Sequence, residues 1–155
     1  FNMLQSRDVV DGAHVLDGFC GSGALGLEAL SRGAKSCSFW DQSRDSVNLA
    51  KSNVQMCDAL GFCEFQVKNT LKCGMKPEKE AGFDLIFLDP PYHKGMVQVA
   101  LSALYEGGWM NAGCWIVCES EKGCTRSNID GFTHESEKIY GEIRIGLLHY
   151  PMTPV

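Results

Sequence analysis

Three features of this 155-residue sequence predict an α/β fold with a mostly parallel sheet and crossover helices. Short apolar runs alternate with helix-period segments from residue 14 onward. A glycine-rich turn joins the first run to the first helix. After Gly123 two extended stretches follow each other too closely for a crossover helix to join them, so this end is expected to be antiparallel.

His14 to Phe19 is the first strand, running into the glycine turn. Ala24 to Arg32 carries Leu25, Leu27, Ala29 and Leu30 and closes at Gly33, as a helix with a glycine cap does. Ser36 to Trp40 is the second strand, ended by Asp41. Ser43 is a good N-cap for a longer helix in which Val47, Ala50, Val54 and Cys57 recur at three-or-four spacing, with Gly61 as its stop. A third strand spans Phe62 to Val67. The lysine-rich stretch from Lys68 to Lys79 is expected to be a solvated connector.

Phe83 to Leu88 is the most apolar short run and suits a central buried strand. Met96 to Tyr105 forms a helix, Gly107-Gly108 breaks it, and Cys114 to Cys118 is a fifth strand. The last two strands cover about Phe132 to Ile139 and Glu142 to Tyr150, with Gly141 between them.

Composition narrows the class. Hydrophobic residues make up 45% and charged residues 21%, and the net charge is 14 minus 19, or −5. One soluble globular domain over 1–155 fits these figures; disorder, collagen and a coiled coil do not. No run approaches the roughly 18 apolar residues of a membrane span, and no secretory leader opens the chain, so a cytoplasmic address without membrane contact is expected. The chain opens at Phe1 without an initiator Met, which leaves room for a preceding segment. Eight cysteines raise the question of disulfides, yet no CxxC pair occurs and several cysteines lie inside apolar runs, so reduced, mostly buried thiols are expected. The four histidines are scattered without ligand spacing, and no metal is expected.

Two constellations carry chemistry. Gly21-Ser-Gly23-Ala-Leu-Gly26 satisfies G-x-G-x-x-G at a strand-to-helix turn, and Asp41 stands 20 residues beyond Gly21 at the end of the next strand. Such glycines let the backbone approach a ligand, and the strand-end acid can accept bonds from ribose hydroxyls. Asp17, four residues before Gly21, decides which adenosine-type ligand suits the turn. A pyrophosphate would meet a like charge there, costing from about 1 kcal/mol in water to about 4 at an effective dielectric of 20. S-adenosylmethionine, with an ammonium and a sulfonium, would be attracted. Asp17 also has a purely structural use, capping the turn through backbone N–H groups.

The second constellation is Asp89-Pro90-Pro91-Tyr92, directly after the Phe83 strand and so on the same sheet edge. Two prolines fix two φ angles and withhold two N–H donors, leaving a stiff loop of acceptors: the Asp89 carboxylate and the Pro90 carbonyl. Tyr92 offers a flat face to a base. Acceptors beside an aromatic plate suit a planar exocyclic amine, whose lone pair they can free while Asp89 takes the departing proton.

With Phe83 to Tyr92 and Glu137-Lys-Ile-Tyr-Gly141, the run VLDGFCGSGALGLEALSRGA (Val15 to Ala34) resembles the bacterial small-subunit (16S) ribosomal RNA guanine-N2 methyltransferase family over nearly the whole chain. That resemblance implies a Rossmann-like class I methyltransferase fold: a seven-stranded, mostly parallel sheet with an antiparallel C-terminal strand and helices on both faces. It implies S-adenosylmethionine as donor, S-adenosylhomocysteine as product, and the exocyclic amine of one guanine in small-subunit rRNA, free or in the assembling subunit, as target.

Carried over by position, Asp17, Gly21 and Gly23 would hold the methionine part, with Phe19 and Ser22 in the same turn. Asp41, followed by Gln42, would bind ribose, and Asn69 and Thr70 would border adenine. Asp89, Pro90, Pro91 and Tyr92 would hold the target amine. Gly18 and Cys20 stand where a bulkier apolar residue and Ala are usual, and Asn69 where Asp is usual, so a full charge is missing from that position.

The family also carries an Arg/Gly-rich segment before its first helix, which the chain from Phe1 does not show; at −5 the domain alone is expected to bind S-adenosylmethionine but hardly any naked RNA. The motifs leave other amines open: adenine N6, cytosine N4 or a protein glutamine. A ribosome-assembly or RNA-binding factor without activity, and a dinucleotide enzyme, are the readings from other classes. A monomer is expected.

Overall fold

The computed structural model describes residues 1, 4, 7–91, 95–121 and 131–150. Seven strands form one sheet: β1 His14–Asp17, β2 Ser36–Asp41, β3 Cys63–Val67, β4 Phe83–Leu88, β5 Met110–Glu121, β6 Thr133–Tyr140 and β7 Ile143–His149. Their order is β3-β2-β1-β4-β5-β7-β6. The first five run parallel, β7 is antiparallel to β5, and β6 and β7 form an antiparallel hairpin. Among the described residues three α-helices, α1 Ala24–Ser31, α2 Arg44–Met56 and α3 Met96–Glu106, pack on the sheet. None of the described helices is long and apolar enough to cross a membrane.

Alternation along the strands sends neighbouring side chains to opposite faces. Leu16, Trp40, Ile86 and Ile116 join Leu101 and Leu104 of α3 in one core. Val15, Phe39, Leu85 and Phe87 join Ala29 of α1 and Ala50 and Val54 of α2 in the other. Burial on both faces explains why β4 is apolar from Leu85 to Leu88.

Two expectations differ from the structure. The second long helix does not run to Gly61 but ends at Met56, and Asp58 makes the left-handed turn (φ 57) before a short 3-10 turn at Leu60–Phe62. An aspartate tolerates that conformation through its short polar side chain. The lysine-rich connector is also not simply solvated. Thr70 and Cys73 are buried, Trp109 donates its indole N–H to the Gly74 carbonyl (2.9 Å), and the Lys68 ammonium lies 4.6 and 4.4 Å over the Trp40 and Trp109 rings. An alkyl stem with a cation at its tip can cover aromatic surface, which charge counting treats as solvated. Among the described residues seven cysteines are free thiols; five are buried, Cys63 is half-buried and Cys57 is exposed. Cys124 lies outside the described residues.

Candidate active site at the carboxyl edge of the sheet

Parallel strands deliver their C-terminal ends to one edge, and both sequence constellations meet there. Asp17 pairs in register with Phe87, two residues before Asp89, so the ends of β1 and β4 are neighbours. The charge of Asp89 reaches Asp17 strongly enough to help raise its pKa.

The glycine turn is shaped by its own backbone. Gly21 (φ 50) and Gly23 (φ 83) take left-handed conformations that side chains disfavour, and the space where a Gly21 Cβ would project is open. At Gly26 the reason is packing. A Cβ there would overlap the Phe39 ring and come within 2.7 Å of the Cys37 sulfur, so the third glycine lets α1 lie against β2.

Asp17 is 2% exposed and accepts a bond from the Gly26 N–H at 3.0 Å. It therefore performs the cap that the sequence also allowed, tying β1 to the first turn of α1. Burial, ahead of every other influence, pushes its pKa up to about 7, with the Asp89 and Asp41 charges adding to the rise and the Gly26 bond opposing it. Asp41 spans two turns, accepting from Gly21 N–H at 3.1 Å and Ser43 N–H at 2.9 Å. A carboxylate has acceptor capacity beyond those two bonds.

Phe19 is half-buried against the α3-side core, Ser22 is exposed with its carbonyl held by the Asn53 amide (2.9 Å), and Gln42 is exposed beside Asp41. Asn69 accepts from Leu71 N–H at 3.0 Å, so its oxygen is engaged in a turn. Thr70 is 1% exposed and its hydroxyl donates to the Gly18 carbonyl. This contact makes sense of Gly18: a Cβ there would stand 3.1 Å from Leu88 Cδ2 and 3.4 Å from Thr70 Oγ1. Cys20 is buried, its thiol raised to about 12 by desolvation, which keeps it unreactive.

On the other half of the edge, Asp89 is exposed, Pro90 half-buried and Pro91 exposed. Tyr92 lies outside the described residues. The Asp89 pKa is raised by desolvation, and the bond from Glu119 acts in the opposite direction. Glu119, on β5, is raised by desolvation, by the charge of Asp89 and by the same hydrogen bond. Sequence reasoning missed Glu119. The signal was present as an acid just after the apolar run Cys114–Cys118, but nothing local says that β5 lies beside β4. The Glu137-to-Gly141 motif forms the end of β6 and the hairpin, with Glu137 Oε1 2.9 Å from Arg144 Nε on β7.

A cationic methyl donor fits this edge on two observations. Asp17, Asp41, Asp89 and Glu119 collect along the ends of β1, β2, β4 and β5, while the Lys68 ammonium is withdrawn onto two indoles. The open approach beside Gly21 leaves room for a ligand. A dinucleotide pyrophosphate would meet several of these acids at once, which disfavours that reading.

Comparison with known proteins agrees with this geometry. The family described as "Conserved hypothetical protein 95" matches residues 1–149. A ribosomal RNA small subunit methyltransferase D from Haemophilus influenzae is 35% identical over 91% of this chain and 72% of its own length. The protein of the same name from Escherichia coli K12 is 31% identical over 78% of this chain, which spans only 59% of that relative. Among solved structures, a candidate methylase from H. influenzae superposes with a TM-score of 0.86 at 32% identity, covering 97% of this chain and 93% of that one. A candidate methyltransferase from E. coli gives 0.84 at 28% identity, covering 99% and 82%. The seven-stranded sheet is thus a Rossmann-like class I methyltransferase fold.

Proposed function

We propose, from the premise that the chain belongs to the "Conserved hypothetical protein 95" family, that it is an S-adenosylmethionine-dependent rRNA methyltransferase acting on the exocyclic N2 amine of a guanine in small-subunit rRNA. The observation that carries this reading is the adjacency of the glycine turn with Asp17 and the Asp89-Pro90-Pro91 loop at the ends of two paired strands.

When bound, S-adenosylmethionine supplies an electrophilic methyl on a positively charged sulfur. The chain's residues do the rest. Asp17 and Asp41 set a negative potential around the glycine turn and hold its shape through backbone N–H bonds. Pro90 and Pro91 withhold N–H groups, so the loop offers the target amine acceptors alone. The Asp89 carboxylate and the Pro90 carbonyl accept its two hydrogens, which favours a tetrahedral nitrogen with its lone pair directed at the methyl. Asp89 then takes the N–H proton. Choice of guanine N2 rests on the resemblance of the motifs and on the names of the relatives, since the loop would hold other planar amines.

The same reading makes residues 1–155 one catalytic domain, cytoplasmic and monomeric, with rRNA or the assembling small subunit as partner. The test is tritiated-methyl transfer by the full-length protein to rRNA and to small-subunit particles from a strain lacking the enzyme, followed by mapping of the modified base. Label on guanine N2 is expected. Label on adenine, cytosine or protein would move the substrate assignment, and binding of S-adenosylmethionine without any incorporation would identify an assembly factor instead.

A further inference from the structure

We propose that Thr70 is a positioning residue: through the hydrogen bond that its hydroxyl gives to the Gly18 carbonyl, it holds the glycine turn in place relative to the Asp89 loop. This inference rests on the function proposed above and adds to it a residue that acts through the backbone rather than on the donor.

The link runs through one buried residue. Gly18 is the first residue beyond β1. Its N–H donates to the Phe87 carbonyl of β4 at 3.0 Å, and its own carbonyl accepts from the Thr70 hydroxyl. Phe87 stands two residues before Asp89, and Gly18 three before Gly21. Thr70 opens a short 3-10 turn, Thr70–Lys72, capped by Asn69 just after β3. Strand pairing does not join β3 to β1, because β2 lies between them. The Thr70 hydroxyl supplies that connection, and the ends of β1, β3 and β4 are tied together at Gly18.

The side chain is committed to this task. Thr70 is 1% exposed, and its one hydroxyl proton goes to Gly18, so it has no donor left for a bound ligand. A buried carbonyl at a strand end needs a partner, and the hydroxyl provides it. Gly18 is matched to the contact by space rather than by dihedral, since it lies outside the left-handed region. A Cβ there would stand 3.1 Å from Leu88 Cδ2, 3.3 Å from the Phe87 carbonyl oxygen and 3.4 Å from Thr70 Oγ1, and so would press on both partners at once. A shift of Gly18 moves Asp17 and the glycine turn against Asp89. Methyl transfer feels such a shift strongly, because a misplacement of about 1 Å can cost on the order of 10² in rate.

Thr70→Val, Thr70→Ser, Gly18→Ala and the Gly18→Ala/Thr70→Val double variant test this. The readouts are Tm, the calorimetric Kd for S-adenosylmethionine, kcat for methyl transfer to small-subunit rRNA, and hydrogen exchange of the Gly18 N–H in the ligand-free protein. Thr70→Val keeps the shape and removes the donor. It should weaken the Kd by about fivefold and lower kcat by about tenfold or more, with faster Gly18 exchange. Thr70→Ser restores a hydroxyl and should recover most of these losses. Gly18→Ala strains the same contact, so the double variant should be little worse than the more damaged single one. A lowered Tm with Kd and kcat intact in Thr70→Val would make the residue purely structural and overturn the proposal. Equal damage in Thr70→Ser, or losses that multiply in the double variant, would overturn it too. Should Thr70→Val not fold, Gly18→Ala decides alone: joint loss of Kd and kcat supports the proposal, and wild-type values overturn it. If the wild type methylates no rRNA, the functional reading falls, and the Kd with the Gly18 exchange still decides the role of Thr70.

Discussion

The two halves of the carboxyl edge solve the same problem, a carboxylate near low-dielectric protein, in different ways. In the half built by β1 and β2, the acids are anchored by main chain: Gly26 N–H holds Asp17, while Gly21 and Ser43 N–H hold Asp41. In the half built by β4 and β5, two prolines after Asp89 withhold main-chain donors, and Glu119 of β5 follows as its neighbour across the strand pair. Backbone anchors fix where the acids of the first half stand. In the second half burial raises the pKa of both Asp89 and Glu119, so its charge is the more sensitive to their surroundings.

The largest effect expected from this contrast concerns Asp17. Its folded pKa of about 7 lies above the unfolded value of 3.8, so the native state binds the extra proton. The stability this confers is full below pH 4, declines as pH rises to about 7 and is gone above it, up to about 4 kcal/mol in all. Thermal melts of the ligand-free protein should show that decline, and Asp17→Asn should flatten it and melt higher at pH 8. The same variant should bind S-adenosylmethionine more weakly, by about tenfold or more, because the attracting charge is lost. A pH-independent wild-type melt would mean that Asp17 is not desolvated as described.

Next comes the other half. Asp89→Ala should fold, retain S-adenosylmethionine by calorimetry and lose on the order of 10² or more in methyl transfer. Near-normal turnover would remove Asp89 from the mechanism and erase the distinction between the halves.

Smaller, and confined to the glycine turn, is Gly26→Ala. Its methyl would overlap Phe39 and crowd Cys37, so a loss of about 1 to 3 kcal/mol is expected. At this size that is about 2 to 4 °C in Tm per kcal/mol. An unchanged Tm would show that α1 is free to shift away from β2. Smallest is Lys68→Leu, which exchanges a cation over two indoles for an apolar side chain and should cost about 0.5 to 2 kcal/mol, with methyl transfer little changed. Loss of activity without loss of stability would place Lys68 in the substrate path instead.

Much of the donor half was legible from residues alone. Positive φ at Gly21 and Gly23, the Ser43 cap and the apolar run of β4 are local facts, decided within a few residues by sterics, capping bonds and burial period. The helix end at Asp58 was not, because an aspartate and a glycine three positions apart both offer a stop and only packing chooses. The buried connector was not either. Lys68 reaches Trp109, 41 residues later, and nothing near Lys68 announces an aromatic partner.

By itself, then, the sequence determined the strands, the glycine turn and the stiff Asp89 loop, since each is specified by dihedral limits and periodicity within a single segment. The tertiary structure alone decided what stands beside what. The strand order brought β5 to β4 and so gave Asp89 its Glu119, and folding of the connector onto α3 turned Thr70 inward to Gly18. Those contacts join residues 30 and 52 positions apart, and at such separations register and packing, rather than any local preference, select the partner.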